Sequence, residues 1–278
     1  MGALKRSLEQ VGQRVELIDQ GRKFRAMGKV ALRAGQPLDG PDGPARLDDF
    51  IRSTKAQKAS LAVLDKVSRM DEAAVKAYLY TPEISRASGE VGKVPSVHEV
   101  AVRLLRTQVE DAVEAKANVI LIDGRGMEKY ARQFTKEGVA QFVMGWHFKC
   151  EPPIAARRSL GLFEELETLR PEDKSRLHAE IWNISDRNKS DISRAVDPLR
   201  EPTYAYHLDL STYAAPGSDV PYRRAHDILH GGGMAVVDTS YTTSIEEMTG
   251  PITELSMLGL LIQGALSHQD VGIETVSA

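Results

Sequence analysis

Asn118-Val-Ile-Leu-Ile-Asp-Gly-Arg125 is the stretch on which the fold turns. Four consecutive apolar residues run into Asp-Gly. A short apolar run without alternation is what a strand buried on both faces of a parallel sheet requires. Ligands of such sheets bind beyond the carboxyl ends of the strands, so Asp123, Gly124 and Arg125 stand where chemistry is expected. Upstream, Val15-Glu-Leu-Ile-Asp19 reads as a second short strand. An amphipathic helix over residues 3 to 14 precedes it, with Leu4, Leu8 and Val11 on one stripe. A helix carrying Phe24, Met27, Val30 and Ala31 follows. Helix, strand, helix is the rhythm of an α/β fold.

The remaining elements fall between breakers. Pro37-Leu-Asp-Gly-Pro-Asp-Gly-Pro44 is a loop by composition. Residues 47 to 80 have helical periodicity and read as two helices, the second starting at Asp71 as N-cap. Thr81-Pro82 opens another, with Thr81 as N-cap and Pro82 at its first position. A longer helix covers residues 96 to 115. Gln141 to Cys150 contains the next strand, and Pro152-Pro153 starts a helix bearing Arg157 and Arg158. Residues 171 to 195 are a charged helical region with room for a break. Tyr204 to Leu210 and Ala235 to Ser240 are candidate strands, with a short helix between them that ends at Gly231-Gly-Gly. Ser244-Ile-Glu-Glu247 has the form of a capping box. Trp146 and Trp182 are expected in core or lid packing.

At 278 residues the chain can bury a substantial core, and 42% hydrophobic with 27% charged residues is the composition of a globular protein. A net charge of -3 argues against a nucleic-acid polymer as partner. The single cysteine, Cys150, rules out an internal disulfide and fits a reducing compartment. The N-terminus turns charged at once, and the longest apolar run, Ile252 to Leu266, is too short to span a bilayer. A cytoplasmic protein without a membrane partner is expected.

Arg187, Asp191 and Arg194 fall at i, i+4 and i+7, before Pro198. On a helix that spacing sets one carboxylate between two guanidiniums on one face. The face reads either as solvated ion pairs or as a phosphate grip, for which the planar fork of arginine is suited.

Four motifs then occur in one order: Leu17-Ile-Asp-Gln-Gly-Arg-Lys-Phe-Arg25, Thr81-Pro-Glu-Ile-Ser-Arg-Ala-Ser88, Ile122-Asp-Gly-Arg-Gly-Met127, and Arg187 to Leu199. Together with Val237-Asp-Thr-Ser and Ser244-Ile-Glu-Glu, this order resembles the bacterial cytidylate (CMP/dCMP) kinase family. The resemblance covers residues 5 to 199 and 235 to 250. It implies a P-loop α/β core, three-layered α/β/α around a parallel sheet, over a single domain 1–278. An acceptor-binding insert at 37–95 is mainly helical here, the lid at 157–195 is helical, and the insertion 200–234 has no counterpart. It further implies a monomer that moves the terminal phosphate of ATP, with Mg, onto CMP or dCMP. Asp19 and Arg25 match the first nucleotide-contact motif, and Asp123 with Arg125 the end of the central strand. Arg187, Asp191 and Arg194 match the residues on the acceptor's phosphate and ribose, while Arg157 and Arg158 match lid arginines over the donor phosphates. Arg103 is the candidate for reaching the base, with His98 as the alternative. The usual serine of the base pocket aligns with Gly89, next to Ser88.

The sequence departs from the family at its start. Met1-Gly2 aligns with the end of the glycine-rich phosphate loop, no G-x-x-x-x-G-K-[ST] occurs, and the first strand has no counterpart. A truncated form of a kinase is expected, with a catalytically silent nucleotide-binding relative as the alternative. Gln20, Phe24 and Gly126 replace the usual Ser or Thr, Tyr and Asp, which loosens the expectation of cytosine preference. His226 and His230, four apart with Asp227 between, have metal-ligand spacing but no evident third ligand, and read as a helix surface.

Overall fold

β1 (Val15–Asp19) and β2 (Val119–Asp123) form where the alternation and the apolar run put them, and they pair parallel with Val15 opposite Val119 and Asp19 opposite Asp123. The computed structural model describes residues 1–38, 43–193, 198–210, 213, 220–242 and 244–266. The chain divides into two compact units. The β1–β2 unit spans Arg14–Ala140. The other comprises Met1–Gln13, Gln141–Ser193 and the described residues from Pro198 onward. The architecture is α/β, and among the described residues the strands form two all-parallel sheets, one in each unit.

In the β1–β2 unit, α2 (Gln20–Arg33) follows β1 without a loop, because the Asp19 carboxylate caps the helix by accepting from the Arg22 amide at 3.2 Å. Then come α3 (Gly43–Arg52), α4 (Thr54–Ser68), α5 (Glu72–Leu79), α6 (Pro82–Val91) and α7 (Pro95–Glu114). Ser53, Asp71 and Thr81 cap α4, α5 and α6 through their side chains, and proline opens α6 and α7. The helices close on one apolar cluster that includes Met27, Val30, Leu47, Ile51, Leu79, Val97 and Leu104. A smaller cluster of Ile18, Leu105, Val109 and Phe134 covers the strands. α2 crosses α6 at Gly28, where a Cβ would stand 2.9 Å from the Ser88 backbone nitrogen and 3.1 Å from the Ala87 carbonyl carbon.

The other unit carries a three-stranded sheet in the order β3–β5–β4, from β3 (Gly145–Lys149), β4 (Tyr206–Leu208) and β5 (Met234–Asp238). Central β5 buries Met234 through Val237, as a strand covered on both faces must. The helices are α1 (Gly2–Gln10), α9 (Pro152–Leu160), α10 (Pro171–Ser193), α11 (Val220–His230) and α12 (Ile245–Ile262). α1 packs on α12, and the Trp146 indole N–H donates to Ser256 Oγ of α12 at 3.0 Å.

Several expectations are corrected. The first helix ends at Gln10 because Gly12 takes φ +80° and the Gln13 amide closes back on the Leu8 carbonyl, a glycine stop. Residues 43–79 form three helices rather than two, since Ser53 caps a new start. α8 (Glu128–Lys136) was not foreseen; it is nine residues long, and Tyr130 and Phe134, four apart, set its apolar face on the Ile18–Leu105 cluster. α10 runs unbroken to Ser193, and Trp182 on it is exposed rather than packed.

The contact at Gly28 sets two effects against each other. Alanine is the better helix former by about 1 kcal/mol. The added methyl must displace backbone atoms of α6, at a cost of about 1–3 kcal/mol. Gly28→Ala is therefore expected to lower unfolding free energy in urea, whereas the same change at Gly89 of α6, where nothing lies within 4 Å, is expected to raise it.

Candidate functional site

The carboxyl ends of β1 and β2 bring two carboxylates side by side. Asp19 and Asp123 face each other in register, about 5 Å apart by the spacing of neighbouring strands. Asp19 is well held. It caps α2, its Oδ2 lies 3.1 Å from Arg22 Nε, and the Tyr80 hydroxyl approaches the same oxygen at 3.4 Å. Arg22 in turn pairs with Glu72 of α5 at 3.1 Å. The proton affinity of Asp123 is raised, first because protein displaces its water and second because Asp19 repels its charge. Tyr80 is likewise pushed up, by burial and then by the Asp19 charge.

Arg25, one turn into α2, lays its guanidinium over the Tyr80 ring, 4.1 Å from the centroid. Its Nη1 has one long contact, 3.5 Å to the Gly21 carbonyl, and its Nε has no partner. A stacked, oriented guanidinium with donors to spare suits a ligand oxyanion. Gly124 follows Asp123 because a Cβ there would stand 2.6 Å from Gln20 Cβ. Gly126 sits at φ +67°, in the left-handed region that glycine takes without strain. Arg125 is exposed beside these residues.

The same end of α2 holds a feature the sequence reading passed over. Lys23 is fully buried and its Nζ has no hydrogen-bond partner; Gln20 Oε1, one turn before it, is also buried and unpaired. Burial lowers the Lys23 pKa from 10.5 to about 8, against an opposing pull from Asp19. A lysine four residues before Met27, within the apolar stripe of α2, was the available signal. Tyr80, the residue after α5, gave none.

The other expected base-pocket residues are placed on helices of this unit. Ser88 Oγ donates to its own helix, at 2.8 Å from the Ser85 carbonyl. Arg103 is exposed on α7. His98 is buried, 2.9 Å from the Gly92 carbonyl through Nε2, with Phe24 packed edge-on at 5.5 Å.

Arg157, Arg158, Arg187 and Asp191 belong to the other unit. Arg157 binds the chain that reverses after α9, donating to the Leu162 carbonyl at 3.1 Å and to that of Glu164. Arg158 is clamped on the segment after β5, donating to the Thr239 carbonyl at 2.7 Å and to the Thr242 carbonyl and hydroxyl. Arg187 is exposed on α10, one turn before Asp191, whose carbonyl accepts from the Leu199 amide at 2.8 Å. Arg194 lies outside the described residues.

Near Arg158 the carboxyl ends of this sheet border a cavity of about 1050 Å³, lined among others by Lys149, His207, Asp209, Asp238, Tyr241 and Glu247. Lys149 is paired with Glu201, which also lies 3.8 Å from His207 Nε2. The Glu201 carboxyl is held below its usual range, chiefly by Lys149. Asp238 is lowered by hydrogen bonds from Ser240. Of these residues, Asp238 and Glu247 lie in the Val237-Asp-Thr-Ser and Ser244-Ile-Glu-Glu motifs, whereas Lys149, His207, Asp209 and Tyr241 are set there by their position at parallel strand ends.

No family model and no curated protein matches this chain. Among the described residues no helix is long and apolar enough to cross a membrane.

The buried ammonium of Lys23 has a measurable consequence. Between pH 8 and 10.5 the unfolded chain keeps that proton while the native chain has lost it, so stability rises with pH across this window. Below pH 8 the penalty is constant, about 3 kcal/mol at 1.36 kcal/mol per pKa unit. Lys23→Met is expected to be more stable than the parent at pH 7 in urea titrations, with the difference shrinking as pH is raised to 10.

Proposed function

We propose that this chain is a cytidylate kinase-like phosphotransferase that takes CMP or dCMP as acceptor and ATP as donor. The observation that carries the reading is the grouping at the ends of β1 and β2. Two in-register carboxylates, Asp19 and Asp123, lie with Arg22 and a Tyr80-stacked Arg25, whose donors are largely unspent. Carboxylates accept from ribose hydroxyls and from an exocyclic amine, and an arginine fork grips a phosphate. A nucleoside monophosphate presents all three groups. The motif order of the sequence assigns Asp19, Arg25 and Asp123 of this group to the acceptor.

Phosphoryl transfer is mainly positioning and charge neutralisation. In this reading Arg157 and Arg158 are lid groups, and each would have to exchange a backbone carbonyl for a donor-phosphate oxygen. Magnesium would arrive on the triphosphate.

One observation favours the second reading, a nucleotide-binding protein without turnover: Arg157 and Arg158 are spent on backbone carbonyls. Calorimetric titration with CMP, dCMP and UMP, followed by a coupled assay with ATP–Mg, separates the two. Turnover supports the transferase, binding without turnover supports the silent protein, and absence of monophosphate binding defeats both. Arg25→Lys, which loses the fork and the flat stack on Tyr80, is expected to weaken CMP binding about tenfold or more, since a hydrogen bond to a charged group contributes about 1.5–3 kcal/mol.

A further inference from the structure

His226 and His230 on α11 turn their Nε2 atoms toward each other, 3.1 Å apart, with ring centroids 4.1 Å apart. Spacing at i and i+4 only places two side chains on one face; here the two Nε2 atoms also meet. Two zinc–nitrogen bonds of about 2.05 Å closing on a 3.1 Å separation subtend about 98°. That is close to tetrahedral and to square-planar angles alike. Both rings are exposed, so the open coordination positions face water. The support beneath them is rigid, because Pro221, Ala225 and Ile228 bury the opposite face of the helix.

The site also has favourable surroundings. His230 is the last residue of α11, where helix carbonyls leave a partial negative charge that attracts a cation. The Asp227 carboxylate is exposed in the next position after His226. We propose that His226 and His230 form a chelating site for a borderline divalent transition ion of the Zn²⁺, Ni²⁺ or Cu²⁺ class, with water completing the shell. Imidazole nitrogen selects these ions over Mg²⁺ and Ca²⁺, which demand oxygen. The chelate spans one turn of an eleven-residue helix and so clips α11 in its folded form. The proposal is independent of the nucleotide reading.

Titration of untagged protein with zinc sulfate, followed calorimetrically and by thermal unfolding, tests it. The parent is expected to bind one Zn²⁺ at this site with a rise in Tm, and to give no response to magnesium sulfate. His226→Ala and His230→Ala each break the chelate and are expected to lose most of its gain, about 100-fold in affinity. His178→Ala, on α10, serves as the control and is expected to bind as the parent does. Circular dichroism confirms that the exposed substitutions leave the fold intact. Zinc affinity unchanged in the double His226→Ala/His230→Ala variant, or no zinc binding by the parent, overturns the proposal.

Discussion

The parallel register that sets Asp19 against Asp123 is the constraint on which the candidate acceptor site depends. Two carboxylates at adjacent strand ends repel, and the chain offsets that repulsion with a fixed set of groups. The Arg22 amide and guanidinium hold Asp19. Tyr80 touches it, and Asp123 carries a raised proton affinity, from burial first and the Asp19 charge second. A one-residue slip of β1 against β2 would separate the carboxylates and turn Ile18 out of its cluster at once. The apolar core therefore fixes the register, and the register fixes the charges.

A second tension lies one turn into α2. A fully buried ammonium with no hydrogen-bond partner opposes folding, and the helical core around Met27 must outweigh it. Unpaired buried groups concentrate where structure serves something besides stability. Gln20 and Lys23 share this condition beside the very carboxylate that the nucleotide reading uses. In the other unit the pattern is reversed. Arg157 and Arg158 are well satisfied, on carbonyls that hold the turn after α9 and the segment after β5.

Local chemistry was legible in the sequence. Val15–Asp19 and Val119–Asp123 were readable because alternation and an unbroken apolar run are strand signals in themselves. The caps at Asp71, Thr81 and Ser244 were readable because each is decided within four residues. What escaped depended on distant partners. Helix α8 is an exception, because Tyr130 and Phe134 stand four apart in the sequence and that short period was passed by. The burial of Lys23 is set by helices that join the chain later. The partners of Arg158 are backbone atoms 81 and 84 residues away, which no motif encodes. The convergence of the His226 and His230 nitrogens is a matter of side-chain rotation that spacing leaves open. The order of motifs gave a nucleotide hypothesis; only geometry showed which of its arginines keep donors for a ligand.

The central claim is that the strand ends of β1 and β2, with the first turns of α2, bind a nucleoside monophosphate. Amide chemical-shift mapping of the isotope-labelled chain with CMP, and with cytidine as the phosphate-free control, tests it most directly. The account requires CMP to move the resonances of residues 19–25, Tyr80 and residues 123–127, with the changes near Arg25 much reduced for cytidine. An unchanged spectrum in that region at saturating CMP, or shifts confined to residues elsewhere, would contradict it.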